Sequence, residues 1–372
     1  MSAPGAPRAV PASVTDGGDV VTVARAWPGR EDLVTVEGRD QHGRLRAGAL
    51  DGTGAVRLLP YGTDGKLPAL EPLVAAEAGG EAAELVVHRA GRRAVVRHAG
   101  GYTKVVRPGR AAVLAAASRT GGLLAAAAGL GAPQVLHEDR STVTCDVLPG
   151  RPVHALSEEP SWDAVWGGWA AAWSRLQDLG AGAAEGLAPH TDEDEAEVLR
   201  TWARRAGDAG VLPGIWQERV EEVARRLEGQ GTPVRLAPTH RDLHDKQLLW
   251  DGSTLGVLDL DTACLAAPEV DPANLAVHAD LRRAQGLWAA GAAATVARTA
   301  RDVALAGGAA PERLAAAELA TVVRLACVYA FRPAWRGVVL EWAEARWSRP
   351  ADEKTLIVVS WRSPAEGPCW SA

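Results

Sequence analysis

Between residues 17 and 72 polar and apolar side chains alternate along the segments DVVTVARAW, DLVTVEGRD, RLRAGALD and AVRLLPYG. A period of two marks strands with one face buried. This region is therefore predicted to form half-buried strands, with HG at 42–43 and DGTG at 51–54 as hairpin turns. Residues 73–82, LVAAEAGGEA, read as a small-residue junction. A second strand set follows: ELVVHRA and RRAVVRHA, split near Gly91, then YTKVVRP after Gly100 and Gly101. From Pro108 the pattern turns helical. PGRAAVLAAASRTGGLLAAAAGLGAP opens with Pro and closes with Gly and Pro, which start and stop helices. PQVLHEDRSTVTCDVLPG predicts two short strands and a turn. After Gly150 the chain reads as mostly helical. One helix covers about 161–179 with Ser161 as N-cap, one opens with the acids of TDEDEAEVL, and one covers about 214–228. About three more fill the last hundred residues, and no internal repeat is evident. Strands, a helix, strands, then helices predict an α+β chain with two lobes.

Composition narrows the function. The 372 residues suffice for two or three packed units. A net charge of −6 gives no basic footprint for nucleic acid. No apolar run reaches the ~20 residues of a membrane span, so neither nucleic acid nor membrane is an expected partner. The opening MSAPGAPRAVPAS lacks a basic region followed by an apolar stretch. It reads as a short flexible lead rather than a signal peptide. Cys145, Cys264, Cys327 and Cys369 are far apart and form no CxxC pair. That suits a reducing cytoplasm with buried or idle thiols and no zinc site. The 14 Trp against one Phe and one Met read as coding bias and carry no functional weight.

The chemistry gathers in 238–261, PTHRDLHDKQLLWDGSTLGVLDLD. HRDLHDKQ fits the H-R-D-L-x-x-x-N pattern of phosphoryl-transfer loops, with Gln247 where Asn is expected. Asp259 follows a dozen residues later on what reads as an apolar strand. Phosphoryl transfer needs positioning and charge neutralisation more than covalent chemistry. One carboxylate must accept the hydrogen bond of the attacking hydroxyl, a second must hold magnesium, and a neutral oxygen donor completes the metal shell. Asp242, Asp259 and Gln247 match those roles in order. The competing reading is a plain polar turn followed by a strand-end acid. The ordered set and its spacing favour the chemical one.

The stretch resembles the aminoglycoside phosphotransferase family, with its choline kinase and maltokinase relatives. The match runs over His240, Asp242, His244, Gln247 and Asp259, and APEVDPANLAVH is similar to that family's next segment, with Asp271 at its recurring acid. Some maltokinase-like relatives also carry Gln at the metal position. The resemblance implies a bilobal protein-kinase-like fold with a β-rich N-lobe and a helical C-lobe. It divides the chain into an added β-rich cap (1–75), an N-lobe (76–150) and a C-lobe with the catalytic loop and acceptor site (151–372). It implies ATP and Mg2+ as cofactors and a small-molecule hydroxyl as acceptor. Asp146 and Val147 of CDVLPG fall where the family's interlobe hinge binds adenine through backbone groups.

ATP also needs a cation at its phosphates. Lys104, mid-strand in YTKVVRP, resembles the Lys of a kinase N-lobe that pairs with the α- and β-phosphates. The alternative is a solvated strand Lys. No acid lies between Lys104 and Glu138, so the usual bracing Glu is missing, and HRAGRRAVV is not a Gly-rich loop. His240 is expected to brace the loop, Asp245 and Lys246 to be solvated, and Asp271 to cap a helix, with hydrogen bonds to the catalytic loop as a further role. Asp261 stands between a second metal contact and a surface acid. Trp162, Trp166, Trp169 and Trp173 share one helix face and are expected to be core. The acids of 191–197 are expected to serve the helix dipole. Arg332, Trp335 and Arg336 are candidates for the acceptor pocket. Together these predict a cytoplasmic kinase for a sugar, aminosugar or aminoglycoside-like acceptor, of undetermined oligomeric state. The alternative is a nucleotide-binding pseudokinase that regulates or scaffolds.

Overall fold

The computed structural model describes residues 9–29, 33–75, 83–233 and 235–348. The first eight residues, most of the predicted junction at 73–82 and Cys369 lie outside them. The alternating region forms β1 (Ser13–Asp16), β2 (Asp19–Pro28), β3 (Val34–Asp40), β4 (Leu45–Leu50) and β5 (Val56–Leu58). These make one antiparallel sheet in sequence order. Both predicted turns are present: Gly43 N donates to Asp40 O and Gly54 N to Asp51 O. The expected flexible lead is partly structural. Val10 is buried and β1 begins at Ser13, because Val10 and Val14 add to an apolar face. A short helix, α1 (Leu70–Ala75), closes this part.

The second sheet holds β6 (Glu84–Arg89), β7 (Arg93–His98) and β8 (Gly101–Val106), then β10 (Thr142–Cys145) and β9 (Val135–Glu138) at its edge. Helix α2 (Ala111–Ala127) connects β8 to β9. Gly101 has φ 142°, and a Cβ there would lie 2.0 Å from the Cys145 carbonyl oxygen. Only glycine lets β8 start against the strand that leads into the predicted hinge.

Beyond it β11 (Arg151–Pro152) leads to α3 (Trp162–Asp178), α4 (Gly180–Ala183), α5 (Asp192–Asp208) and α6 (Ile215–Glu228). The polar stretch is framed by β12 (Ala237–Thr239), β13 (Leu248–Trp250), β14 (Leu255–Val257) and β15 (Cys264–Ala266). Helices α7 (Val270–Ala284), α8 (Ala290–Ala306), α9 (Pro311–Tyr329) and α10 (Arg336–Trp347) complete the described chain. The tryptophan face of α3 is core, as expected. Trp166, Trp169 and Trp173 are fully buried and pack edge-on or stacked with centroids 5.7–6.1 Å apart. Ser161 sits at the N-cap of α3 but its side chain makes no capping bond. Thr191 and Asp194 form a reciprocal capping box at α5.

The first sheet touches both lobes. Val14, Val21, Val23 and Val36 share one apolar cluster with Leu199 of α5, Trp216 of α6 and Phe331 after α9. Leu45 and Leu70 join a second cluster with Leu85, Val96 and Val105 of the second sheet. β2 and the segment after α9 meet here: Ala26 N donates to Phe331 O, and Arg332 Nη1 donates to Ala26 O. Arg332, a candidate for the acceptor pocket, instead lies on the Trp27 ring, 5.1 Å from its centroid. Arg336 donates to Val211 O.

Candidate active site

Lys104 lies mid-strand in β8, opposite Val95 of β7, which is itself opposite Val87 of β6. Residues directly opposite share a face, so Lys104 projects from the concave face of the second sheet. Its Nζ reaches across to the segment after β14 and pairs with both Asp259 Oδ1 and, at 2.9 Å, Asp261 Oδ2. These two acids pair with the Lys for which the sequence offers no bracing helix Glu. Asp261 is therefore not a surface acid: its side chain is 7% exposed and, like that of Asp259, pairs with Lys104. Burial works against the charge of Lys104, yet the two carboxylates hold its ammonium above its usual range. The same pairing keeps Asp259 below the usual carboxylate range against the pull of burial. Gln247 Nε2 stands 3.4 Å from Asp259 Oδ2.

Asp259 does not sit on a strand as its sequence suggests. β14 stops at Val257, and Asp259 adopts a left-handed φ of 60°. Among the described residues the non-glycine residues with positive φ are Asp259 and Arg241 (φ 71°), both inside the polar stretch. Each such conformation costs about 1–2 kcal/mol. Strain of this kind persists where surrounding bonds impose it, and it clusters at functional sites.

Those bonds are visible. His240 Nε2 donates to Leu258 O at 2.7 Å, and its Nδ1 accepts from Asp242 N at 3.3 Å. The ring thus ties the loop to the segment before Asp259, the bracing role its sequence position suggested. Asp271 was expected to cap a helix, with hydrogen bonds to the catalytic loop as a further role. It lies one residue inside α7, whose N-cap position is Glu269. Its carboxylate does make the loop bonds: it accepts from His240 N at 2.6 Å and Arg241 N at 2.8 Å, holding the strained turn. Burial pushes the Asp271 carboxyl up to about 6. Asp242, set by this turn, has a side chain 52% exposed, with Arg324 Nη1 of α9 3.6 Å from its Oδ1. Arg324 also donates to Asn274 Oδ1, and Asn274 Nδ2 donates to Leu243 O of the loop.

His244 is largely buried against His278, ring centroids 4.8 Å apart, and accepts from Lys246 N. Burial holds both imidazoles below their usual pKa and thus neutral. Lys246 is exposed as expected, but Asp245 is not: it is fully buried. Its oxygens accept from Arg282 Nε and Nη2 at 2.9 Å each and meet His154 Nδ1 at 2.5 Å. Burial raises its carboxyl, but His154 and Arg282 outweigh it and hold the group far below its usual range. Its contribution is therefore present at neutral pH and is lost only as pH falls below the ordinary carboxylate range. Asp245→Asn should destabilise the protein by about 3–5 kcal/mol, because Arg282 would be left buried and unpaired. Denaturant unfolding at pH 7 measures this, and a loss under about 1 kcal/mol would contradict it.

The acids at the start of α5 do more than serve its dipole. Glu195 lies 3.0 Å from His190 Nε2 and 4.0 Å from Arg324 Nε. Burial raises its carboxyl, but these neighbours keep it below its usual range. Sequence reasoning missed Arg324 and Glu195; an Arg in mid-helix carries no mark that it ends beside Asp242.

Between the second sheet and the β13–β14 hairpin lies a cleft of about 560 Å³. Val87, Val95 and Tyr102 of the second sheet, Leu249 and Leu258 of the hairpin side, and Asp146 and Val147 line it. Asp146 is fixed by two bonds: Gln134 N donates to its Oδ1 and its own N donates to Gln134 O. Lys104, Gln247 and Asp259 stand together at the inner end of the cleft. An apolar slot that leads to a cation and a carboxylate matches the shape and chemistry of a nucleotide. The model of the phosphotransferase enzyme family matches residues 75–316, which contain every one of these residues. The chain belongs to that family.

It is accordingly a small-molecule phosphotransferase that acts on hydroxyl groups. The solved structure of aminoglycoside phosphotransferase APH(3'')-Id from Streptomyces rimosus is 21% identical, with a TM-score of 0.51, over 70% of this chain and 97% of that one. The same protein in complex with ADP and streptomycin gives a TM-score of 0.50 over 70% and 97%. A choline/ethanolamine kinase family protein from Mesorhizobium loti is 19% identical, with a TM-score of 0.49, over 72% and 89%. The fold is the bilobal protein-kinase-like one, with an antiparallel N-terminal region and a helical C-terminal part. No curated protein matches the chain. Among the described residues no helix is long and apolar enough to cross a membrane.

Proposed function

We propose that this phosphotransferase moves the γ-phosphate of ATP to a hydroxyl of a small sugar, aminosugar or aminoglycoside-like acceptor in the cytoplasm. One observation carries the reading: Lys104 from the sheet and Asp259 from beyond the loop meet at the inner end of an apolar cleft, with Gln247 beside them. The adenine ring would lie between Val95 and Leu249, its edge on the backbone of Asp146 and Val147. Lys104 would hold the α- and β-phosphates as a point charge. Asp242 would accept the hydrogen bond of the acceptor hydroxyl. His240, His244 and Asp271 position the loop without touching substrate. The first sheet, Ser13–Leu58 within the proposed division 1–75, would serve as an added cap.

The donor set fits magnesium. No group of three or more His, Cys, Asp or Glu able to hold a metal occurs among the described residues. Mg2+ commonly takes one or two protein oxygens and completes its shell with phosphates and water. Asp259 and the amide oxygen of Gln247 would be those ligands. Bound there, the ion would neutralise charge on the transferring phosphoryl group. The pairing of Lys104 with Asp259 and Asp261 supplies a brace in place of the missing helix Glu, which favours a working kinase over a pseudokinase.

Lys104→Ala tests the phosphate role directly. The variant should bind ATP about 10-fold or more weakly, as expected for loss of a charged hydrogen bond. Adenosine, which has no phosphates, should bind as before. Calorimetry with both ligands decides it, and equal ATP affinity in the two proteins removes Lys104 from the phosphate site.

A further inference from the structure

The turn between β6 and β7 is held by residues that precede the second sheet. Arg92 N donates to Arg89 O, which closes the turn over Ala90 and Gly91. Gly91 takes a left-handed φ of 66°, which glycine adopts without strain. Inside such a turn the N–H of Gly91 has no partner. Here it donates to Asp64 Oδ2 at 2.6 Å, and Gly91 O accepts from Arg107 Nε at 2.6 Å. Both backbone polar groups of Gly91 are therefore committed.

Asp64 lies between β5 and α1 and is buried. Its Oδ2 also stands 3.2 Å from His88 Nε2, and its Oδ1 accepts from Lys66 N at 2.9 Å. Burial raises its carboxyl, but His88 and the amides of Gly91 and Lys66 outweigh it and hold the group below its usual range. A second acid grips the same segment. β6 is an edge strand, so its outward N–H groups need partners beyond the sheet. Glu37 of β3 accepts from His88 N at 2.7 Å through Oε2, and Arg25 Nε donates to its Oε1 at 2.7 Å. Trp27 of β2 adds a third hold. The guanidinium of Arg89 lies 5.2 Å from its ring centroid and that of Arg332 5.1 Å. The first sheet also packs on α5 and α6. The turn is thus placed with respect to the helical lobe as well as to its own sheet.

Lys104, Asp259 and Asp261 together carry a net negative charge, so on the nucleotide reading the phosphates need further cations. Arg89, Arg92 and Arg93 at the turn line, with Lys104, the chamber that adjoins the apolar cleft. Arg93 is two residues before Val95, which is opposite Lys104, and Arg89 is opposite Arg93, so both share the face of Lys104. His88 alternates with Arg89 and points to the other face, where Asp64 meets it. Asp64 lines neither chamber. We infer that Asp64 is a positioning residue for the nucleotide's phosphates: by tying Gly91 and His88 to the region of the first sheet, it fixes the β6–β7 turn and the arginines on it, in a chain that has no glycine-rich loop to do so. The inference rests on the nucleotide reading of the cleft. It makes the added N-terminal region a working part of the nucleotide site.

The test titrates Mg-ATP and adenosine into the full chain and its Asp64→Ala and Asp64→Asn variants, and follows amide hydrogen exchange over residues 88–93 in each free protein. Asp64→Ala should bind Mg-ATP about 10-fold more weakly, as expected for loss of a charged hydrogen bond. Adenosine, which has no phosphates, should bind within about 2-fold of wild type. Asp64→Asn can still accept from one amide but lacks the charge; it should fall between the two, and it carries the test if the Ala variant does not fold. Exchange over 88–93 should quicken in the same order. Leu70→Ala opens the apolar cluster on the same side of the sheet without touching the turn. It should lower thermal stability and leave the ratio of ATP to adenosine affinity unchanged. The inference is overturned if the Asp64 variants keep wild-type ATP affinity, lose adenosine equally, or exchange over 88–93 as wild type does. It is overturned too if Leu70→Ala shifts the ratio as far. A wild-type protein that binds neither ligand would instead sink the nucleotide reading, and the exchange measurement would still decide whether Asp64 holds the turn.

Discussion

Asp242→Asn is expected to lower kcat by about 10²–10⁴, the span for a positioned acid–base group. The substitution keeps size and shape and removes the charge that accepts the acceptor's hydroxyl hydrogen bond. The loop should not move. His240 and Asp271 hold it through bonds that do not involve the Asp242 side chain. Arg324, 3.6 Å away, loses an ion pair at a half-exposed site but retains its bond to Asn274. Nucleotide affinity should therefore stay within experimental error while turnover collapses. Steady-state kinetics set beside nucleotide calorimetry gives both quantities. A variant with near-normal kcat would exclude Asp242 from the transfer step.

Asp259→Asn should reduce turnover by about 10³-fold or more, because a bound metal supplies several kcal/mol of charge stabilisation in the transition state. Asn is the cleaner test than Ala. Asp259 occupies a left-handed conformation that Asn tolerates, so charge is removed without adding strain. The ion pair with Lys104 gives the prediction a sign that separates it from simple damage. In wild type the Lys104 ammonium is shared between Asp259 and Asp261. Without the charge of Asp259 it is freer to meet phosphates, so metal-free ATP should bind as well as before or better. Mg-ATP should bind much more weakly. Calorimetry with and without magnesium reads both, and equal losses in the two conditions would count against the metal role.

The two sheets, their hairpin turns and the tryptophan core were legible because periodicity reports directly which faces are buried. The phosphoryl-transfer stretch was legible because its residues act together over a span of about twenty positions. What stayed hidden were partners. Asp245 reads as one more polar loop residue, yet its fate is decided by His154, 91 positions earlier, and Arg282, 37 later. Asp261 was ambiguous because Lys104, which claims it, lies 157 positions away. Of the two roles its sequence context offered Asp271, the helix cap falls to Glu269, while the bonds to the catalytic loop are made, to the amides of His240 and Arg241. Alternation showed that the first sheet has an apolar face and left open that α5, α6 and α9 would cover much of it.

That last feature bears on how the chain is made. The sheet of β1–β5 leaves the ribosome first, but Phe331 and Arg332, which cover Ala26 and Trp27, are joined to it across 306 positions. At about 5–20 residues per second the apolar face of Val14, Val21 and Val36, which α5 and α6 cover sooner, waits roughly 15–60 s for the last of its cover. A nascent chain in that interval carries these apolar side chains without their full cover, the kind of surface that holdase chaperones bind. Synthesis of this protein should therefore depend on such help early, long before any phosphate is bound.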